Sequence, residues 1–221
     1  MFIDTVIFDL DGTLLDTLED LMDSTNYALK QFHMPERTLD EIRAFVGNGV
    51  KLLIERAVEE KTDEVTCEEV LRVFKKHYLE NGRNKTKLYG GIDELIDTLK
   101  VMGLKIAVVS NKIDESVKEL CEYYMHGKID SAIGDRAGVP KKPERNLVDI
   151  ALSELGKTTD TAVFVGDSDV DINTARNLGI PCISVSWGFR SEEFLLSSGA
   201  KYMASTPDEV IDFIKMLGEN K

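Results

Sequence analysis

Asp9 and Asp11 stand two residues apart in DLDGT (9–13), directly after the apolar run IDTVIF (3–8). In extended chain, residues i and i+2 point to the same side, so both carboxylates face one space. Carboxylates that close repel each other unless a proton or a cation separates them. GDSDVD (166–171), after the apolar run AVFVG (162–166), adds Asp167, Asp169 and Asp171. A hard divalent cation held by oxygens resolves such repulsion. Mg²⁺ suits the set, because it takes one or two carboxylates together with water and a phosphate oxygen. Ser110 and Asn111 follow the apolar KIAVV (105–109), and Lys141-Lys142 precede Pro143. A hydroxyl and backbone N–H groups where a strand gives way to a helix form an anion site. A lysine supplies the positive charge that a transferring phosphoryl group needs. Each of these residues alone is an ordinary loop or capping residue; acids gathered at several strand ends are not. The chemistry they suit is phosphoryl transfer.

The elements that must position them can be read from hydrophobic period. IDTVIF, KIAVVS (105–110), a short run near Ile129–Ile133, AVFVG and PCISVSW (181–187) read as buried strands. Between them lie helical faces: Ile92, Leu95, Ile96 and Leu99, then Ile113, Val117 and Leu120, then Leu147, Ile150, Ala151 and Leu155. Gly103, Gly156 and Gly179 stand where helices would end, and Thr206-Pro207 opens the last one. Strands separated by helices imply parallel pairing through right-handed crossovers. Residues 16–81 interrupt the first crossover with helical periodicity only, and the polar ENGRNKTK (80–87) reads as a linker. The expected fold is therefore α/β: a doubly wound parallel-sheet core of residues 1–15 and 82–221 with an inserted all-helical domain, 16–81. In such sheets ligands bind beyond the carboxyl ends of the strands, so the four groups above should share one crevice.

Composition narrows the class further. Of 221 residues, 43% are hydrophobic, enough for a core. A net charge of -13, with 40 acidic against 27 basic residues, argues against nucleic acid as a partner. No apolar run approaches the ~20 residues of a membrane span, and the acids within the first apolar run read against a signal peptide. Cys67, Cys121 and Cys182 lack C-x-x-C spacing and read as reduced thiols in a cytoplasmic protein. His33, His77 and His126 have no metal-ligand spacing, and Trp187 reads as core packing.

DLDGT, Ser110, Lys142-Pro143 and GDSDVD together resemble the four motifs of the haloacid dehalogenase superfamily. The helical insertion resembles the cap of its phosphoglycolate phosphatase-like branch, with FVGNGVKLLIERA (45–57) and LYGGIDELIDTLKVMGLKIAVVSNK (88–112) as the closest stretches. The resemblance implies a Rossmann-like core and a Mg²⁺-dependent phosphatase acting on a small phosphorylated metabolite, 2-phosphoglycolate above others. It implies Asp9 as nucleophile and Asp11 as the acid and base that serves the leaving alcohol and then water. Ser110 and Asn111 would bind the phosphoryl group, and Lys142 would neutralise its charge. Asp9, Asp167 and the Asp11 backbone carbonyl would hold the metal, with Asp171 orienting Lys142 or a metal-bound water. In the cap, Gly47 and Gly49 would offer backbone N–H groups to the substrate and Lys51 a charge.

Two features depart from the family pattern or divide it. The third motif often runs Lys-Pro-x-Pro, whereas Arg145 stands here, and the Lys141-Lys142 doublet leaves Lys141 as an alternative. Asp11 favours phosphate esters, since the family's dehalogenases and phosphonate hydrolases lack an acid at that place. Rival readings on the same core are a β-phosphoglucomutase-type mutase, a pyrophosphatase or a nucleotidase. A non-catalytic phosphate-binding protein is the rival from another class.

Overall fold

A computed structural model describes residues 2–219. Along the chain, β1 (Thr5–Phe8) and the short β2 (Leu15–Asp16) precede four helices. These are α1 (Leu18–Gln31), α2 (Leu39–Phe45), α3 (Val50–Ala57) and α4 (Glu64–Asn81). After β3 (Lys87–Leu88) come α5 (Ile92–Val101), β4 (Lys105–Ile113), α6 (Asp114–Met125), β5 (Ser131–Asp135) and α7 (Asn146–Leu155). The chain continues through β6 (Ala162–Gly166), α8 (Asp169–Leu178), β7 (Cys182–Val185), α9 (Glu192–Ser197), β8 (Tyr202–Ala204) and α10 (Pro207–Glu219).

Two compact units result, one of Met1–Leu15 with Leu88–Lys221 and the other of Asp16–Lys87. The first is built on a six-stranded sheet in the order β5-β4-β1-β6-β7-β8, with every pairing parallel. Strand side chains alternate between two cores, as the period of two requires. Val6, Phe8, Ile106, Val108, Val163 and Val165 pack with residues of α5, α6 and α10. Ile7, Ala107, Val109, Ala162 and Phe164 pack with residues of α7 and α8 on the other face. Both faces are covered, which is why these strands read as continuous apolar runs.

The second unit is all helical, with α1 packed on α4 and α3 on α2 and α4. Its buried side chains include Leu21, Leu29, Ile42, Leu53, Ile54, Val70 and Phe74. Thr38 and Glu41 form a capping box at the start of α2. The return boundary falls after Lys87, later than the expected break before Gly82. The reason is a buried carboxylate on α1. Asp20 accepts from the backbone N–H groups of Lys85 and Thr86 and from the Thr86 hydroxyl, at 2.8–3.1 Å. The polar stretch is thus tied to the helices and is not a loose linker.

Three further local expectations are revised. The short α9 and β8 were not legible as elements, and strands β2 and β3 pair with each other in a separate two-stranded sheet. KIAVVS does not end at Ser110: β4 runs on to Ile113, with a register shift between Val109 and Ile113. Ser110 and Asn111 therefore lie in an irregular strand end, ahead of α6, and not at a helix N-terminus.

Candidate active site

Sheet register brings the motif residues side by side. Phe8 pairs with Val108 on one side and with Val165 on the other. The next residues, Asp9, Val109-Ser110 and Gly166-Asp167, therefore emerge together at the carboxyl edge. Strand β1 is where the sheet order switches between its two halves, the place where open α/β sheets bind ligands. The Asp9 N–H donates to Val165 O at 2.9 Å, which prolongs the ladder to the carboxylate itself.

Lys142 is the centre of the cluster. Its ammonium donates to Asp9 Oδ1 and to Asp171 Oδ1, each at 2.8 Å. The other Asp171 oxygen accepts from the Ser168 hydroxyl at 2.6 Å and its backbone N–H at 3.1 Å, within a capping box that starts α8. A capping residue has thus been recruited to hold the lysine. The Asn111 side-chain amide donates to Lys142 O at 3.0 Å, so it secures the lysine's loop. Of the lysine doublet, Lys142 reaches Asp9 and Asp171, and Lys141 is only half-buried.

Ligand oxygens of Asp9, Asp167 and Asp171 lie within 4.8 Å of one another, all three residues buried. One ammonium among three buried carboxylates leaves the site short of positive charge. Burial pushes the Asp9 carboxyl up to about 7; Lys142 pulls it down, while the charges of Asp171 and Asp11 add to the rise. Burial, then the charges of Asp171 and Asp9, hold Asp167 well above the usual carboxylate range. Lys142 goes the other way: burial opposes its charge, but Asp171 and Asp9 outweigh that and raise it above an ordinary lysine. All-oxygen donors with excess negative charge fit a hard divalent cation such as Mg²⁺.

Asp167 sits in a cradle that sequence reasoning missed. Its oxygens accept from the Thr13 hydroxyl at 3.3 Å and from the Phe189 backbone N–H at 2.7 Å. Two glycines make room for it. A Cβ at Gly12, whose φ is +87°, would collide with the Asp167 carboxylate, and one at Gly188 would meet Asp167 and Gly12 O. Trp187 is more than packing, because its Nε1–H donates to Thr13 O at 3.0 Å and braces the loop after Asp9. The signal available in sequence was the GFR run (188–190) following the last apolar strand, at the same sheet edge.

Asp11 departs from the cluster. Both its oxygens accept from the ammonium of Lys112, at 3.0 and 3.1 Å. Lys112 was not anticipated in any role. The Ser110 hydroxyl, buried, accepts from the Lys112 backbone N–H at 3.2 Å. Gly47, Gly49 and Lys51 belong to the helical unit. The two glycines have φ of +111° and +89°, Gly49 capping α3, and Lys51 is exposed and faces Glu55 at 3.8 Å.

A parallel α/β core with a helical insertion after its first strand, and an acid–lysine cluster at the switch point, defines a class of hydrolase. The family model of the haloacid dehalogenase-like hydrolases matches residues 6–185, and the chain belongs to that family. The phosphoglycolate phosphatase of Aquifex aeolicus (strain VF5) is 32% identical over 214 residues, which cover 94% of this chain and 99% of that protein. That of Mesorhizobium japonicum is 32% identical over 188 residues, 83% of either chain. Among solved structures, a proposed phosphoglycolate phosphatase from Lactobacillus delbrueckii subsp. bulgaricus has a TM-score of 0.92 at 34% identity. The match covers 97% of this chain and 99% of that one. Among the described residues, no helix is long and apolar enough to cross a membrane.

Proposed function

We propose that this hydrolase is a cytoplasmic, Mg²⁺-dependent phosphatase that cleaves a small phosphomonoester, 2-phosphoglycolate first among them, through an aspartyl-phosphate on Asp9. The buried Asp9–Lys142–Asp171 chain beside Asp167 carries this reading. The relatives' shared name supports the substrate. Asp9 Oδ1 is engaged by Lys142, so the other oxygen is the one that attacks phosphorus as the ester P–O bond breaks. Asp11 gives its proton to the departing alkoxide. It then takes a proton from the water that attacks the aspartyl-phosphate, and inorganic phosphate leaves with Asp9 restored. Lys142 offsets charge on Asp9 and on the phosphoryl oxygens throughout. Asp9, Asp167 and the Asp11 backbone carbonyl would hold Mg²⁺, which supplies charge neutralisation of the phosphoryl group. Ser110 and the backbone N–H of Asn111 would bind phosphoryl oxygens. Gly47, Gly49 and Lys51 are proposed as further substrate-binding residues.

The test is phosphate release from a panel holding 2-phosphoglycolate, pyrophosphate, nucleoside monophosphates and hexose phosphates, with and without Mg²⁺. Metal-dependent release with 2-phosphoglycolate preferred is expected. Conversion of a hexose phosphate to its isomer without net phosphate release would replace the phosphatase reading by the mutase one. Asp167→Ala should raise the half-saturating Mg²⁺ concentration by at least about tenfold, since losing even an outer hydrogen-bond partner costs that much. An unchanged metal titration would remove Asp167 from the ligand set.

A further inference from the structure

We infer that Lys112 is a positioning residue that acts through Asp11, holding its carboxylate in place to take the proton from the attacking water. The inference rests on the reading of Asp9 and Asp11 given above. The Lys112 side chain is only 2% exposed, and its ammonium lies 3.0 and 3.1 Å from the two oxygens of Asp11. Burying an ammonium is costly unless it is paired, so the fold retains this one at the site's edge against a penalty. Contact with both oxygens fixes the plane of the carboxylate as well as its place. An aspartate without such a hold would be free to turn among its staggered rotamers.

The arrangement also separates two acids that would otherwise compete for one cation. Lys142 engages Asp9 together with Asp171, and Lys112 engages Asp11. The nucleophile and the proton carrier are thereby kept in distinct orientations, although they stand two residues apart. Lys112 can do this because it lies on β4, which pairs with β1 and extends past Ser110.

The discriminating substrate is p-nitrophenyl phosphate, whose leaving group needs no proton. In Lys112→Met the first step should proceed, giving a stoichiometric burst of nitrophenolate. Steady-state turnover should fall by about tenfold to a hundredfold, because water activation by Asp11 is impaired. KM should stay within about twofold, and Lys112→Arg should recover part of kcat, since a charged donor is kept. In an Asp11→Asn background, Lys112→Met should have no further effect, as expected when one residue acts only through another. Loss of the burst together with the steady state would mean a merely structural role and overturn the inference. So would an equal loss in the Asp11→Asn background, or a raised KM with kcat unchanged, which would make Lys112 a substrate contact. The Asp9→Asn protein is measured first: if it still turns over, the reading of the site fails and the role of Lys112 with it. If it is dead and Lys112→Met keeps kcat within about twofold of the parent, only the Lys112 inference fails.

Discussion

Replacing Asp9 with Asn should lower phosphate release by more than about 10³-fold for every substrate, as expected when a covalent nucleophile is lost. The amide matches the carboxylate in shape, so the cluster should persist, with Lys142 still held by Asp171 Oδ1 at 2.8 Å. Stability should move the opposite way to activity. An aspartate raised from 3.8 to about 7 binds its proton more tightly in the fold than in the unfolded chain. Ionisation of Asp9 therefore works against the fold, negligibly below the lower value, increasingly between the two, and fully above about 7. In metal-free protein, Asp9→Asn should thus melt higher than the parent at pH 8, and the gain should shrink toward pH 4. Calorimetry in a chelating buffer at both pH values reads this. Turnover within about tenfold of the parent would refute Asp9 as the nucleophile.

Lys142→Met should be costly in both respects. Removing the ammonium leaves Asp9 and Asp171 buried without the donor they share, a loss of about 3–5 kcal/mol for a broken buried pair. Turnover should fall by about a hundredfold or more with it, because the phosphoryl charge is no longer offset. The two effects can be separated. Adding Asp171→Asn to Lys142→Met removes one of the stranded charges and should restore part of the melting temperature while restoring no activity. Lys141→Met should leave activity within about twofold, as for a residue outside the cluster. If Lys141→Met were the inactive variant, the lysine assignment would be reversed.

Much of this site is local in sequence. DLDGT and GDSDVD place their acids directly after apolar runs, and an apolar run of four to six residues in an α/β pattern is a buried parallel strand. Once β1 and β6 are strands, Asp9 and Asp167 must stand at the same edge. The family resemblance implied that Asp171 orients either Lys142 or a metal-bound water, and Asp171 accepts from the Lys142 ammonium at 2.8 Å. The helical insertion was legible because its apolar residues keep a step of three and four from Leu18 to Tyr78.

What escaped depends on contacts between distant residues. Lys112 has no role readable from its sequence position, and the irregular extension of β4 carries it to Asp11, 101 residues away. The Phe189 N–H and the bare face of Gly188 serve Asp167 from a loop whose sequence carries no apolar period. Asp20 on α1 ties residues 85 and 86 to the helical unit by accepting from their backbone N–H groups. The sequence by itself determined the alternation of strands and helices, the insertion, and the acids that face the carboxyl edge, because burial period and strand-end position are properties of short segments. Only the tertiary structure decided which cation each acid receives and what room each is given. Those depend on strand register and on backbone approaching to within a few ångströms across long loops, which no local pattern encodes.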